Sequence, residues 1–212
     1  MGVEINGREA ADMRMLCDML VRWNRKINLT AIKAEDEIIT KHLADSLSLI
    51  NPLRRLLGPG EHNIIDVGTG AGFPGLVLWI MGAGNITLLD SVGKRFAFIE
   101  EFIGAVGASG GRGVSLVQMR AEQAGKTPMH SGAYDAAVAR AVAELKTLCG
   151  YCLDLVRKGG YLFAMKGPKA EAELSEAKKE MGARGAYLSE IIDVNLRGGI
   201  NHKIIAIKKD DL

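Results

Sequence analysis

The sequence lacks the features that mark membrane and secreted proteins. No apolar run is long enough to span a bilayer, and the opening residues, MGVEINGREA, contain no apolar signal region. Only three cysteines occur, which leaves an odd one over in any set of disulfides. We therefore expect a reduced, cytoplasmic protein with no membrane partner.

Net charge is also small. The formal charge is +2 at pH 7 and the isoelectric point is about 8.4, a balance that permits a polyanionic partner but does not require one. Hydrophobic residues make up 48% of the chain, which is ample for a core. A length of 212 residues fits one domain, with or without a small extension.

The most informative stretch is a short apolar segment followed by a glycine-rich turn. Residues 64–67 (IIDV) predict a buried strand, residues 68–75 (GTGAGFPG) form the turn, and residues 76–81 predict the start of a helix. Glycines let the backbone approach a ligand, and a helix N-terminus offers free N–H groups. This layout is typical of nucleotide-like ligands bound at the carboxyl end of a parallel sheet.

Two kinds of cofactor compete for this loop. The string GAGFPG at residues 70–75 fits a dinucleotide pattern, but that pattern should begin directly after the strand, where the first glycine is Gly68. Counted from Gly68, the third glycine position is Phe73. A G-x-G-x-G turn with Asp66 at the strand end is similar to the first motif of S-adenosylmethionine (SAM) methyltransferases. A turn without any ligand is the third interpretation.

Two helices are predicted before this loop. Apolar residues at steps of three and four predict helices from Glu9 to Ile27 and from Glu35 to Ile50, and Pro52 with residues 58–60 (GPG) should close the segment. His42 and Ser46 lie one turn apart on the second helix, where we expect structural hydrogen bonds. We interpret residues 1–60 as an N-terminal helical extension and residues 61–212 as one compact domain.

Basic residues cluster around the end of the first predicted helix. Cations are favoured near a helix C-terminus, and they also contact nucleic-acid phosphates; the sequence leaves both interpretations open. The cluster consists of Arg22, Arg25, Lys26 and Lys33.

Strands alternate with helices over the rest of the chain. Segments 86–89, 114–117, 134–138 and 161–165 predict strands of a doubly wound parallel sheet, and residues 187–194 and 203–207 predict a final antiparallel hairpin joined by a glycine-rich turn.

Asp90 ends the second predicted strand, 22 residues after Gly68. That spacing suits a carboxylate that accepts hydrogen bonds from a ribose diol. The alternative role for Asp90 is to cap the helix that follows.

A Cys-x-x-Cys pair, Cys149 and Cys152, falls in the next predicted helix, which Gly159-Gly160 should end. A redox pair should open a helix, where the dipole lowers the thiol pKa, and one pair is too few for a zinc site. We therefore predict structural thiols and no metal.

Several separated stretches together resemble one family. They are residues 23–24 and 28–30, 42–46, 66–75, 88–95, 120–122, 139–141 and 166–167. They are similar to the bacterial small-subunit ribosomal RNA 7-methylguanosine methyltransferases, long called glucose-inhibited division protein B, and the match runs from about residue 20 to 167. The combination is specific, although the glycine loop alone is not.

The resemblance implies an α/β SAM-dependent methyltransferase, Rossmann-like fold with a mostly parallel seven-stranded sheet. It implies SAM as cofactor and a guanosine of ribosomal RNA or the small ribosomal subunit as substrate. It assigns no catalytic residue, although Arg140 and Lys166 are positioning candidates. Where many members carry an arginine before the last strand, this chain has His202. The predicted cofactor-binding residues are Asp66, Gly68, Gly70, Gly72, Phe73, Asp90, Ala121, Glu122 and Arg140.

The residues agree independently with a guanine N7 target. Methyltransferases of exocyclic amines carry an N/D-P-P-Y/F loop after the fourth strand, where this chain has Ala139-Arg140-Ala141. Both cysteines lie too deep in their helix to serve as a C5 nucleophile. N7 has a free lone pair and no proton to lose, so orientation is sufficient and no general base is required.

Other functions stay compatible with the sequence. They are SAM-dependent methylation of another RNA atom, a protein or a small molecule, an NAD-linked oxidoreductase, and a ribosome-binding module without activity. We expect a monomer.

Overall fold

Seven strands among the described residues form one mixed sheet. The computed structural model describes residues 2–107, 113–196 and 199–211. The strands are β1 (Asn63–Val67), β2 (Asn85–Asp90), β3 (Val114–Gln118), β4 (Tyr134–Arg140), β5 (Val156–Lys166), β6 (Ala186–Leu196) and β7 (Ile200–Lys209).

The strand order is β3-β2-β1-β4-β5-β7-β6. The first five strands are parallel, whereas β7 is antiparallel to both β5 and β6. The predicted α/β fold with a final hairpin is confirmed. Residues 197–198 of the predicted hairpin turn lie outside the described residues.

The described helices cover both faces of this sheet. They are α1 (Gly7–Asn24), α2 (Glu35–Ile38), α3 (Asp45–Leu47), α4 (Ile50–Leu57), α5 (Gly75–Ile80), α6 (Phe96–Val106), α7 (Ala121–Ala124), α8 (Leu145–Cys152) and α9 (Ala170–Ala183). A π-helical turn, Ile39–Ala44, joins α2 to α3, and a 3₁₀ turn, Gly93–Arg95, precedes α6. None of the helices in the described part of the chain is long and apolar enough to cross a membrane.

Two apolar layers sandwich the sheet because successive strand residues point to opposite faces. Ile64 packs in a layer with α1, α5 and α6, while the next residue, Ile65, packs in the layer formed with α8 and α9. Leu16 of α1 and Phe98 of α6 are fully buried in the first layer. The helical extension therefore shares its core with the sheet, and the boundary near residue 60 stays a prediction.

Helix α1 begins two residues before the predicted start because of a capping box. The side chain of Asn6 accepts hydrogen bonds from the N–H groups of Arg8 (3.0 Å) and Glu9 (2.9 Å), and Glu9 accepts one from Asn6 N (2.8 Å). The helix ends at Asn24, whose side chain donates to the carbonyl oxygen of Thr30 at 2.9 Å. The predicted helix from Glu9 to Ile27 was thus correct in type but shifted at both ends.

Three predicted helix ends were wrong. Pro52 does not close the extension, because it lies in the first turn of α4, where its missing N–H is not needed. The predicted second helix to Ile50 instead ends at Leu47, with a π-helical turn inside it. Gly159-Gly160 does not end a helix either: α8 ends at Cys152, and both glycines lie within β5.

The cysteines of α8 lie in the buried layer. Cys149 and Cys152 are both 0% exposed. Burial raises the pKa of Cys149 to about 12, and it also raises the pKa of Cys152. Both side chains therefore stay protonated at neutral pH, which suits packing better than nucleophilic or metal chemistry.

We expect replacement of both residues by serine to destabilise the protein without removing its activity. Each hydroxyl would lie in an apolar layer, which costs about 1–3 kcal/mol per group if it finds no partner. Urea unfolding measures the loss, and Cys17→Ser is a matched control because Cys17 is also buried (2% exposed) but lies in the other layer. A well-folded but inactive double variant would show that the thiols take part in chemistry.

Candidate active site at the carboxyl ends of the strands

A buried carboxylate holds the glycine loop at both ends. Asp66 Oδ2 accepts hydrogen bonds from Thr69 Oγ1 (2.6 Å) and from Gly75 N (2.8 Å), and the residue is 0% exposed. Burial raises the pKa of Asp66 to about 6, while the hydrogen bonds from Thr69 and Gly75 oppose that rise. Asp66 Oδ1 has no hydrogen-bond partner within the described residues.

Two glycines of the loop are required by their surroundings. Gly68 has φ +72°, and a Cβ there would lie 2.7 Å from Val142 Cγ2. A Cβ on Gly75 would lie 2.1 Å from Leu88 Cδ2 and 2.8 Å from Asp66 Oδ2. Gly75 therefore lets α5 approach the strands, whereas Gly68 shapes the loop where it faces the end of β4.

Asp90 ties the end of β2 to the glycine loop. Its Oδ2 accepts from Gly70 N (2.9 Å) and from Arg95 (2.9 Å), and its Oδ1 accepts from Val92 N (2.8 Å). Neither the 3₁₀ turn nor α6 has a side-chain cap. The alternative that Asp90 caps the following helix is therefore wrong.

A cavity of about 340 Å³ opens beside this loop, and we call it the loop cavity. Its walls come mainly from residues at or just after the carboxyl ends of β1 to β4, together with Tyr151 of α8. Among the predicted cofactor residues, Gly68, Asp90, Ala121 and Glu122 line it. The other predicted cofactor residues are not part of this cavity wall: Asp66 lies in β1, Gly70, Gly72 and Phe73 lie in the loop, and Arg140 ends β4.

Several residues of the loop cavity were not predicted. They are Val92, Arg95, Met119, Arg120, Val142 and Tyr151, among others. Most of them directly follow the ends of β2, β3 or β4, where the connections of an open parallel sheet meet at a ligand crevice. Applying that rule to every strand end would have identified them.

Arg140, the last residue of β4, joins the sheet to the helical extension. Its guanidinium donates to Lys41 O (2.9 Å), Asp45 Oδ2 (2.8 Å) and His42 Nδ1 (2.9 Å). Arginine only donates, so Nδ1 of His42 accepts and its Nε2–H donates to Thr30 Oγ1 at 3.1 Å. Burial and the charge of Arg140 lower the pKa of His42 to about 4, so the imidazole is neutral at pH 7.

The same cluster extends to the glycine loop through Phe73. The ring of His42 stacks on Phe73 with centroids 4.6 Å apart, and the guanidinium of Arg140 lies 5.8 Å from the Phe73 ring centre. Ser46 donates to His42 O at 2.6 Å. The structural hydrogen bonds predicted for His42 and Ser46 are confirmed, and His42 also contacts the candidate site.

A second cavity of about 360 Å³ lies between the final hairpin, α9 and the π-helical turn, and we call it the hairpin cavity. Its polar and charged lining includes Lys41, Asp45, Arg140, Lys166, Glu173 and His202. Lys166 is 8% exposed; its Nζ is 2.7 Å from Glu173 Oε2 and also donates to Ala143 O. His202 lies within β7 rather than before it.

The predicted basic cluster is only partly available to a ligand. Arg22 pairs with Glu101 of α6 at 2.6 Å, so its charge is already compensated. Arg25, Lys26 and Lys33 are exposed and form no ion pair with another described residue. Lys26 lies 5.9 Å from the ring centre of Trp23. Across the described ranges, no group of three or more His, Cys, Asp and Glu side chains is placed to hold a metal ion.

Comparison with solved structures identifies the architecture. The magnesium protoporphyrin IX methyltransferase of Synechocystis PCC 6803, with bound SAM, has a TM-score of 0.65 at 15% identity, and the match covers 99% of this chain and 100% of that one. The tRNA (m1A58) methyltransferase of Aquifex aeolicus has a TM-score of 0.58 at 14% identity over 77% of this chain and 68% of that one. At such identities the likeness concerns the fold alone.

Comparison with known sequences is more specific. Residues 9–198 match the family described as GidB, rRNA small subunit methyltransferase G. The ribosomal RNA small subunit methyltransferase G of Alkaliphilus oremlandii is 41% identical over 99% of this chain and 86% of its own length, and that of Symbiobacterium thermophilum is 39% identical over the same shares. The chain therefore belongs to the rRNA small subunit methyltransferase G family.

Proposed function

We propose that this protein transfers the methyl group of SAM to N7 of a guanosine in small-subunit ribosomal RNA. Membership of the family supports methyl transfer to ribosomal RNA. The observation that carries the proposal is the loop cavity at the carboxyl ends of the parallel strands, bordered by Gly68, Asp90 and Glu122. Cytoplasmic location, a monomeric state and independence from metal stay predictions.

The residues of the loop cavity fit SAM. The volume of about 340 Å³ is within the range of small-molecule pockets, roughly 300–1,000 Å³. In this proposal Asp90 accepts from ribose hydroxyls and Gly68 leaves room beside the loop, while Ala121 and Glu122 also line the cavity. When bound, SAM supplies a methyl group whose carbon–sulfur bond breaks, with the electron pair left on sulfur, as guanine N7 bonds to the carbon.

Arg140 and Lys166 fit positioning roles better than proton transfer. Arg140 is held by three acceptors, and Lys166 is held by Glu173 and a backbone carbonyl. N7 loses no proton on methylation, so the reaction requires no base. What the chain supplies is orientation of the acceptor against the methyl donor.

Asp90→Ala should weaken SAM binding by about 1.5–3 kcal/mol, the range for a lost hydrogen bond to a charged group. Titration calorimetry measures this directly. Asp135→Ala is a matched control, because Asp135 also accepts from a backbone N–H (Asn63, 2.7 Å) and an arginine (Arg157, 2.7 Å) but lies at the opposite ends of the strands. If Asp90→Ala binds SAM as tightly as Asp135→Ala does, Asp90 is not part of the SAM site.

Arg25, Lys26 and Lys33 are proposed to contact RNA phosphates. Each neutral variant (Arg25→Gln, Lys26→Gln or Lys33→Gln) should reduce the slope of log K against log salt concentration by about one unit. Arg22→Gln should change it less, because Arg22 is paired with Glu101. Lys179→Gln, on the exposed face of α9, is the control. If the slope is unaltered in all variants, these residues do not contact RNA and are only a solvated helix end.

The N7 assignment is tested by chemical cleavage of the product. N7 methylation places a positive charge on the imidazole ring of guanine, so borohydride reduction followed by aniline should break the RNA at one guanosine. RNA incubated without SAM is the control. Methyl incorporation without such a break would assign another acceptor atom. The rate should also show no base-ionisation limb near neutral pH, because N7 carries no proton.

A further inference from the structure

Arg95 lies against the carboxylate of Asp90 in the wall of the loop cavity. Both residues line that cavity, and a guanidinium nitrogen of Arg95 is 2.9 Å from Asp90 Oδ2. The side chain of Asp90 is 5% exposed, whereas that of Arg95 is 35% exposed. An almost buried carboxylate is therefore paired with a cation that still reaches solvent.

The position of Arg95 does not serve the helix that follows it. Arg95 is the N-cap residue of α6, and its side chain makes no capping hydrogen bond there. The N-terminus of a helix carries a partial positive charge, so the dipole of α6 disfavours a cation at this residue. The guanidinium instead contacts Asp90, and we therefore look to the loop cavity for its role.

The carboxylate of Asp90 has little capacity left for a ligand. An ionised carboxylate offers about two acceptor sites on each oxygen. Oδ2 accepts from Gly70 N and from Arg95, both at 2.9 Å, which occupies its two sites. Oδ1 accepts from Val92 N at 2.8 Å and keeps one site. The ribose of SAM carries neighbouring 2′ and 3′ hydroxyls, and a diol held across both oxygens needs one site on each. Oδ2 must therefore lose a donor before it can accept from a hydroxyl.

Arg95 is the donor that can leave Oδ2 without moving the backbone. Gly70 N belongs to the glycine loop, and the two N–H groups at the start of that loop donate to Leu89 O at 2.8 and 3.0 Å. These bonds fix the loop against β2. The guanidinium of Arg95, in contrast, leaves by rotation about side-chain bonds, and its side chain already reaches solvent.

We propose that Arg95 competes with a ribose hydroxyl for Asp90 Oδ2, and that the ribose of SAM, or of the product S-adenosylhomocysteine, displaces the guanidinium on binding. This inference rests on the proposed function, which places SAM in the loop cavity, and adds a residue that sets the affinity of that site. Loss of the Arg95–Asp90 pair offsets part of the binding free energy, so Arg95 weakens cofactor and product alike. Its return to Asp90 compensates the carboxylate again and favours release of the product.

The test compares S-adenosylhomocysteine with its 2′-deoxy counterpart by titration calorimetry, in wild-type protein and in Arg95→Met. The two ligands carry the same charges, so a general effect of the removed cation cancels in the ratio of their dissociation constants. S-adenosylhomocysteine should bind Arg95→Met about fivefold more tightly than wild type, which corresponds to a partly exposed ion pair near the upper end of its range. The 2′-deoxy ligand leaves Arg95 in place, so its affinity should not change. The preference for the diol should therefore rise about fivefold.

Two control variants accompany this comparison. Arg95→Lys keeps a cation and a donor, and it should bind both ligands like wild type. Arg157→Met removes an arginine that pairs with a carboxylate (Asp135, 2.7 Å) at the opposite ends of the strands, and it should leave both affinities unchanged. If Arg95 only held Asp90 in place, its removal would lower the preference for the diol. An unchanged or lower preference in Arg95→Met would therefore overturn the inference.

A second measurement uses the wild-type protein and does not depend on a variant folding. In a crystal structure with S-adenosylhomocysteine, the Arg95 guanidinium should lie beyond hydrogen-bond distance of Asp90; with the 2′-deoxy ligand it should stay in contact. The same position of Arg95 in both complexes would overturn the inference while leaving the SAM site intact. A wild-type protein that binds S-adenosylhomocysteine away from Asp90, or not at all, would instead contradict the proposed function, and this inference with it.

Discussion

The candidate site depends on the two hydrogen bonds that the carboxylate of Asp66 accepts. The carboxylate is fully buried, yet it accepts from both Thr69 and Gly75, so one side chain fixes the two ends of the glycine loop. Burial alone would disfavour the charged form, and the two donors offset part of that cost. Because the folded-state pKa is raised to about 6, this group lowers stability as pH rises from about 4 to 6, and its effect is constant above that.

Arg140 connects the glycine loop to the helical extension. It reaches Asp45, His42 and the Lys41 carbonyl, while His42 stacks on Phe73 of the glycine loop. A π-helical turn at Ile39–Ala44 carries two of these partners, and such turns occur frequently at functional sites. The extension is therefore part of the wall of the site, which explains why residues far apart in sequence define one cluster.

The sequence predicted the parts of the structure that depend on local pattern. Short apolar segments predicted the strands, and the glycine turn after Val67 predicted the loop. It could not predict that Pro52 lies in the first turn of a helix or that Gly159-Gly160 lies within β5, because tertiary packing decided both. It also missed Val142 and Tyr151, which are distant from Gly68 in sequence but line the same cavity. It also could not predict that His202 of β7 lies beside Asp45, because that contact depends on how the last strand packs against the helical extension.

The proposed methylation at N7 suits a site whose charges are mutually compensated. The reaction moves a positive charge from sulfur to the purine ring, so an uncompensated cation beside the base would oppose it. In the hairpin cavity Arg140 and Lys166 are each paired with a carboxylate, and burial lowers the pKa of His202. For the N7 acceptor that we propose, fixed dipoles and shape around the base are sufficient, because its lone pair requires no proton acceptor.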